Sequence, residues 1–357
     1  MRIALLGDIA LIESFDLKSH PQLKNNLTNV ADYLNQFDAV VANLEAPFSI
    51  KKKRGGPKSA YLYSNPENIE LLKYLNINYV SLANNHMFDY GKEGYELTKR
   101  MLNEAGIKWF GAEGRNVDIK NGTNTVMLEG FCCYSTNPID LAQYDSYGIN
   151  ELSVSATEKI LRTNKAAGYL TIAAIHNGIE HVNYPSVESI KMSRRFADVG
   201  SMVFYGHHPH VLQGYEIYND CLISHSLGNF IFDDNGDKNI QVTLSENNRT
   251  SAILELEIEN NKVTFFQYVP IYIGKGTIEI KTADNTSVSQ YNFSSAFTKT
   301  QDYIDSRKAT INERIAKLKS GRNLKWYIRR LNYRYYKLFM SNRYNAKLYK
   351  ACIVDQL

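Results

Sequence analysis

Three histidines stand within four residues in the segment Gly206-His207-His208-Pro209-His210, directly after the apolar run Met202-Val203-Phe204-Tyr205. The run reads as a buried strand, so the imidazoles fall in a tight turn at its carboxyl end. Imidazoles gathered there are costly unless something polar uses them. A metal ion is the obvious user, because imidazole binds zinc, manganese and iron well. Other apolar runs end in matching groups: Asp8, Asn43 with Glu45, Asn84-Asn85-His86, and His176. Taken singly, each is compatible with a turn, a cap or a satisfied half-buried histidine. Together they form a set of carboxylates, amides and imidazoles suited to Mn, Fe or Zn, as one or two divalent ions bridged by a carboxylate. Such a pair can activate water and clamp a phosphoryl oxygen.

These groups need elements that carry them to one place. Short apolar runs alternate with helical stretches, which predicts an α/β fold. Strands are expected at 2–6, 38–42, 78–82, from 108, 169–175, 201–205 and 221–225, and helices at 27–37, 68–75, 95–105, 156–164 and 186–197. Two hairpins are expected, one about Glu129-Gly130 and one across Asn260-Asn261. In α/β sheets ligands bind at the carboxyl ends of strands, so five polar strand ends imply one cleft.

The chain has 357 residues with a formal net charge of +4. That charge is unevenly spread. Residues 307–350 carry 14 Lys and Arg against one acid, Glu313, whereas residues 1–306 are net acidic. Four cysteines, Cys132, Cys133, Cys221 and Cys352, show no framework spacing, so reduced thiols are expected. The first apolar run is too short for a signal peptide, and no later run reaches membrane-spanning length. The expected location is cytoplasmic, at most peripheral at the inner face of a membrane.

The order Gly7-Asp8, Asn43-Leu44-Glu45, Ser81-Leu82-Ala83-Asn84-Asn85-His86 with Asp89 and Gly91, His176-Asn177-Gly178-Ile179-Glu180, the histidine turn, and Ser226-Leu227-Gly228-Asn229-Phe230 resembles the CapA family. These are bacterial capsule and poly-γ-glutamate synthesis proteins, similar to calcineurin-like metallophosphoesterases. The resemblance spans roughly residues 1–270 and implies a four-layer α/β/β/α sandwich of the metallophosphoesterase type over 1–274, a polar linker at 275–300 and a basic, aromatic-rich helical tail at 301–357. It implies Asp8 and His210 on a first metal, Asn85, His176 and His208 on a second, and Glu45 as the bridge. His86 resembles the histidine beside the leaving group, with Asp89 orienting it. Asn43, Asn84, Glu180, His207 and Asn229 are supporting or substrate-contacting candidates. Two departures stand out. Ala10 occupies a position where phosphoesterases supply another histidine, which leaves one site a ligand short. Asn177 and His181 stand where the family pattern often has Trp and Tyr. His181 reads as an exposed loop residue and Asp233-Asp234 as surface.

The resemblance implies a metal-dependent hydrolase of a phosphoester or polymer in capsule or exopolymer biosynthesis. A non-catalytic accessory protein of a polymer synthase is the alternative. The loop Lys51–Lys58 is a candidate guide for a polyanion. Residues 321–350 interleave cations with aromatics, and Leu324, Ile328, Leu331, Tyr335 and Leu338 fall on one helical stripe. Such a helix suits an anionic membrane surface or a capsule-synthesis partner, with packing on its own acidic body second. Nucleic acid ranks last, because no recognition module accompanies the charge.

Overall fold

The structure is a computed structural model that describes residues 1–50, 55–56, 58, 60–143, 146–237, 240–281, 300–320, 328 and 331–357. In chain order the strands are β1 (Arg2–Ile9), β2 (Ala39–Leu44), β3 (Tyr79–Ser81), β4 (Lys108–Phe110), β5 (Val117–Asn121), β6 (Asn124–Cys132), β7 (Leu141–Ala142), β8 (Ile149–Asn150), β9 (Leu170–His176), β10 (Met202–His207), β11 (Tyr215–Tyr218), β12 (Cys221–Ser224), β13 (Asn229–Ile231), β14 (Asn235–Asp237), β15 (Ile240–Val242), β16 (Thr250–Glu259), β17 (Lys262–Gly274) and β18 (Thr277–Ile280). One large sheet runs β18-β17-β16-β1-β2-β3-β4, with β13 beside the end of β1. The other runs β11-β12-β10-β9-β6-β5. Strands β1 to β4 are mutually parallel, as are β6, β9, β10 and β12. Their carboxyl ends therefore lie along a common edge of each sheet.

Consecutive side chains of a strand point to opposite faces. Leu5, Val41 and Val203 accordingly pack between the two sheets, together with Leu128, Ile172 and Leu254. Their neighbours Leu6 and Val40 turn outward against Val30, Leu72 and Leu102 of the helices Thr28–Leu34, Ile69–Tyr74 and Gly91–Glu104. Phe204 turns outward on the second sheet against Leu161 and Phe196 of the helices Val154–Ala166 and Val187–Val199. The result is a four-layer α/β/β/α sandwich. Burying each such side chain contributes about 1.5–3 kcal/mol, so strand position is set by both faces at once.

Two glycines allow the chain to close over the strand ends. A Cβ on Gly7 would lie 2.2 Å from the Gly228 carbonyl oxygen, and one on Gly206 would lie 1.9 Å from that of His225. The first approach lets β13 pair with β1 at Asp8 and Asn229. The pairing of β1 with β2 shifts register between Leu5 and Asp8. The Tyr205 hydroxyl of the second sheet donates to the Leu6 and Val41 carbonyls of the first, locking the two sheets together beneath the cleft.

Several expectations need correction. No hairpin forms at Glu129-Gly130; β6 runs straight through it and pairs with β5. Apolar side chains at Leu128 and Phe131 are both buried, one on each face, so the Gly between them marks close packing rather than a turn. Its Cβ position lies 2.8 Å from Gly111 Cα. The helix expected at 27–37 divides into Leu23–Asn26 and Thr28–Leu34. The segment expected to be linker begins with a paired strand, β18, and 282–299 lie outside the described residues. The Asn260-Asn261 hairpin is present, with φ of +52° and +58° at the two asparagines, the left-handed pair that a tight turn of this hand needs.

Candidate metal centre

Asp8 is fully buried at the end of β1 and is held from several sides. Asn43 Nδ2 donates to its Oδ1 at 2.9 Å, His207 Nδ1 lies 2.8 Å from the same oxygen, and the His208 backbone N–H donates to Oδ2 at 3.1 Å. His210 Nδ1 lies 3.4 Å from Oδ2. Burial pushes the Asp8 pKa up, but the hydrogen bond and charge of His207, with His210 and His176, outweigh it and hold the carboxyl well below its usual range.

Glu45, just beyond β2, is built differently. It is fully buried, yet neither carboxylate oxygen has a hydrogen-bond partner. His210 Nε2 stands 3.5 Å from Oε1 and His86 Nε2 stands 3.9 Å away. Burial, and then the nearby Asp8 charge, push the Glu45 pKa well above its ordinary value. Ligand atoms of Asp8, Glu45 and His210 all lie within 4.8 Å of one another.

Beside this trio stand Asn85, His176 and His208. Asn85 Nδ2 donates to the Thr136 carbonyl at 3.1 Å, which aims its oxygen at His176 Nε2, 2.9 Å away. The His176 and His208 rings are 4.8 Å apart. Burial drives His208 down to about 3 and lowers His176 as well, so both are held as neutral imidazoles, the form that binds metals. His208 Nδ1 and His207 Nε2 are buried without partners. Non-glycine residues rarely adopt positive φ, yet His208 sits at +95° and His210 at +57°. Strain of this kind, about 1–3 kcal/mol per residue, persists where surrounding structure over-determines it, commonly at functional sites.

Four buried polar atoms without partners, two of them carboxylate oxygens beside another carboxylate, make a costly arrangement for a protein alone. A divalent cation would offset both the charge and the missing bonds, so the donor set fits the metal that the resemblance implies.

On the other flank, His86 Nδ1 lies 2.6 Å from Asp89 Oδ2 and 3.2 Å from Lys58 Nζ. Lys58 also donates to Asp89 Oδ1 at 2.9 Å and to the Asn85 carbonyl at 2.6 Å, and the Leu62 N–H donates to Asp89 Oδ2. Asn84 takes a positioning role: its side chain donates to Asn43 Oδ1 and the Leu44 carbonyl and accepts from the His86 N–H. Asn229 Oδ1 lies 2.9 Å from His210 Nδ1, and its amide donates to the Asn248 carbonyl. Glu180 stands at the rim in an ion pair with Arg314 of the helix Gln301–Ser320.

Some expectations shift here. Lys58 is buried and bound to Asp89 rather than free to guide a polyanion, while Lys51 to Arg54 and Pro57 lie outside the described residues. Asp233 is buried, not surface, and accepts from the Ser14 hydroxyl and N–H. His181 is half-buried and its Nδ1 faces the Asn248 amide at 2.8 Å. Ala10 belongs to an apolar wall with Ala46, Leu62 and Phe232, where the resemblance leads one to expect a histidine. Sequence reasoning missed Asn248, Thr136 and the role of Lys58. Thr136 serves through its backbone carbonyl in the short helical turn Tyr134–Thr136, which no residue type marks, while Asn248 stands three residues after Ser245 and caps the short helix Glu246–Arg249, a role that does not point to the cleft.

The sandwich and its cleft define an α/β protein whose polar strand ends meet in one buried cluster of carboxylates, amides and imidazoles. The sequence profile described as bacterial capsule synthesis protein PGA_cap matches residues 2–234, so the chain belongs to that family. The capsule biosynthesis protein CapA of Bacillus anthracis is 27% identical over 266 residues, 70% of this chain and 61% of the relative. The PGA biosynthesis protein CapA of Bacillus subtilis (strain 168) is 27% identical over 247 residues, 67% and 63% respectively. The chain thus matches only about three fifths of the length of these relatives. A Mycobacterium tuberculosis relative, 23% identical over 216 residues and covering 56% of this chain and 57% of its own, is named "Probable polyglutamine synthesis accessory protein". Among solved structures, a hypothetical protein from Thermus thermophilus superposes with a TM-score of 0.48 at 13% identity, covering 77% of this chain and all of the other. The Haemophilus influenzae NAD nucleotidase gives 0.44 at 12%, with 88% and 60% covered. No helix among the described residues is long and apolar enough to cross a membrane.

Proposed function

We propose that this chain is a metal-dependent hydrolase of the phosphoesterase type, acting on a phosphoester or polymer in capsule or exopolymer biosynthesis. The observation that carries the reading is Glu45, a fully buried carboxylate with no hydrogen-bond partner, set between Asp8 and His210. Asp8, Glu45 and His210 would hold one divalent ion. Asn85, His176 and His208 would hold a second, once the Asn85–His176 bond gives way. Mn, Fe and Zn all suit these donors. When bound, such ions supply an activated water and positive charge for a phosphoryl or carbonyl oxygen. His86 Nδ1 faces Asp89 Oδ2, and with a proton placed there Nε2, on the Glu45 side, would take up a proton and pass it to a leaving group. Lys58 and Asp89 fix that ring, and the wall around Ala10 and Phe232 excludes water from one side.

Metal content per chain, after equilibration with Mn²⁺, Fe²⁺ and Zn²⁺, tests the reading together with turnover of a generic phosphodiester. Wild type should take up metal and turn over substrate; Glu45→Ala should lose both while remaining folded. Turnover undiminished in Glu45→Ala would sink the assignment.

Ala10 favours a second reading, a non-catalytic accessory protein that uses the cleft to bind polymer ends. Tight metal binding without turnover of any phosphoester or polymer would favour it.

A further inference from the structure

We propose that the outward face of the helix Tyr333–Cys352 binds the surface of an anionic lipid bilayer. The inward face is already used. Tyr349, Cys352 and Ile353 pack on the cluster that includes Phe131, Cys133 and Phe196, Asn345 is buried, and Arg195 donates to the Gln356 carbonyl. Tyr335 and Leu338, expected from the sequence to form the binding stripe, fall on that inward side and are half-buried, while Leu324 lies outside the described residues. The free face is therefore the opposite one. It carries Tyr333, Tyr336, Met340 and Tyr344, with Lys337 and Arg343 between them and Lys347 one turn beyond, at the spacing of three and four that lines one side of a helix. All seven are exposed, and the three tyrosines are each more than half exposed, as is Phe339 on the flank.

Charge decides the partner. Residues 321–350 contain nine Lys and Arg and no Asp or Glu. A protein interface usually interleaves both signs at its rim, whereas a leaflet of anionic headgroups asks for cations alone. Tyrosine rings suit the headgroup level, where one end is apolar and the other wet. Lys337 lies 4.7 Å from the Tyr333 ring centroid and Arg343 lies 5.7 Å from that of Phe339, so cation and aromatic are presented together. From Tyr333 to Lys347 the face extends about 21 Å, a flat strip anchored at its far end to the body. The inference is independent of any activity in the cleft.

The test is co-sedimentation of the full chain with vesicles of phosphatidylcholine alone or mixed with phosphatidylglycerol. Binding to the mixed vesicles only, weakening with salt, is expected. Each cation near a charged surface changes partitioning about fivefold, so Lys337→Ala, Arg343→Ala and Lys347→Ala combined should weaken it about a hundredfold. Tyr336→Ser with Met340→Ser and Tyr344→Ser should weaken it about tenfold, because binding scales with the apolar area inserted. All six positions are exposed, so unchanged thermal unfolding will show that both variants are folded. Failure of wild type to sediment with mixed vesicles overturns the proposal. So does an aromatic variant that binds as well as wild type while soluble polyglutamate competes fully, which would assign the face to an acidic polymer.

Discussion

The two flanks of the cleft are built from the same kinds of residue in opposite ways. On the His86 flank, Asp89, Lys58 and the imidazole satisfy one another, and a backbone N–H fills the remaining carboxylate position. On the Glu45 flank, both Glu45 oxygens, His207 Nε2 and His208 Nδ1 are buried with no hydrogen-bond partner. Both flanks are equally dry, so exposure does not explain the contrast. A network that closes on itself stabilises and orients, while one left open stores an unmet demand for a cation. Under the proposed function, the closed flank would position a proton-transfer group and the open flank would take the metal.

The largest effect should come from opening the closed flank. Asp89→Ala would leave the buried Lys58 ammonium without its carboxylate, and loss of one partner of a buried pair costs about 3–5 kcal/mol. Urea unfolding would measure it. If Asp89→Ala unfolds at the wild-type midpoint, the closed network contributes nothing and the contrast between the flanks fails. Filling the open flank should act next. A metal present at about a hundredfold excess over its Kd should stabilise the native state by about 2.7 kcal/mol. Glu45→Gln should abolish most of that gain, and a variant that keeps it would place the metal elsewhere.

Without metal, Glu45→Gln should itself raise stability by about 1–3 kcal/mol near neutral pH, because it removes a carboxyl that burial and the Asp8 charge make costly to ionise. The sign follows from the raised pKa. A carboxyl whose folded pKa lies above the unfolded 4.5 contributes stability that is complete below 4.5 and is lost as pH rises through the folded value. The gap between variant and wild type should therefore open as pH climbs from 4.5. Buried His208 and His225, both held at about 3, lower the stability of both proteins as pH falls from 6.5 toward 3, so the prediction is read from the difference between the two curves rather than from either alone. A gap of constant size across this range would mean that Glu45 is not the strained group.

Much of the site was legible because strand ends announce themselves: an apolar run followed by Asp8, Asn43, Asn84 or His176 reads the same in sequence and in structure. The parallel order of the sheets could be expected from alternation, and the hairpin at Asn260-Asn261 from two residues that tolerate left-handed φ. What failed was whatever depended on distance along the chain. Gly130 looked like a turn because a missing Cβ signals either a turn or a close approach, and only Gly111 across the sheets decides which. Lys58 looked like one cation in a solvated run, since nothing local says that Asp89 will meet it. The tail stripe had the right periodicity, but periodicity does not say which face the body will cover.

The smallest effect should come from the rim. Arg314 and Glu180 form an ion pair of the same chemistry as Lys58 and Asp89 at a similar 2.9 Å, yet their side chains are 26% and 40% exposed against 7% and 0%. Water screens the outer pair and solvates either partner when the other is lost, so the charge left behind by Arg314→Ala is not stranded. The expected loss is under about 1 kcal/mol and should shrink further at high salt. Paired with Asp89→Ala in one set of urea titrations, it varies burial while holding charge and distance. A rim loss as large as the buried one would mean that the Gln301–Ser320 helix depends on Glu180 to stay docked. In that case the open flank of the cleft would owe its shape to the C-terminal helices as much as to the two sheets.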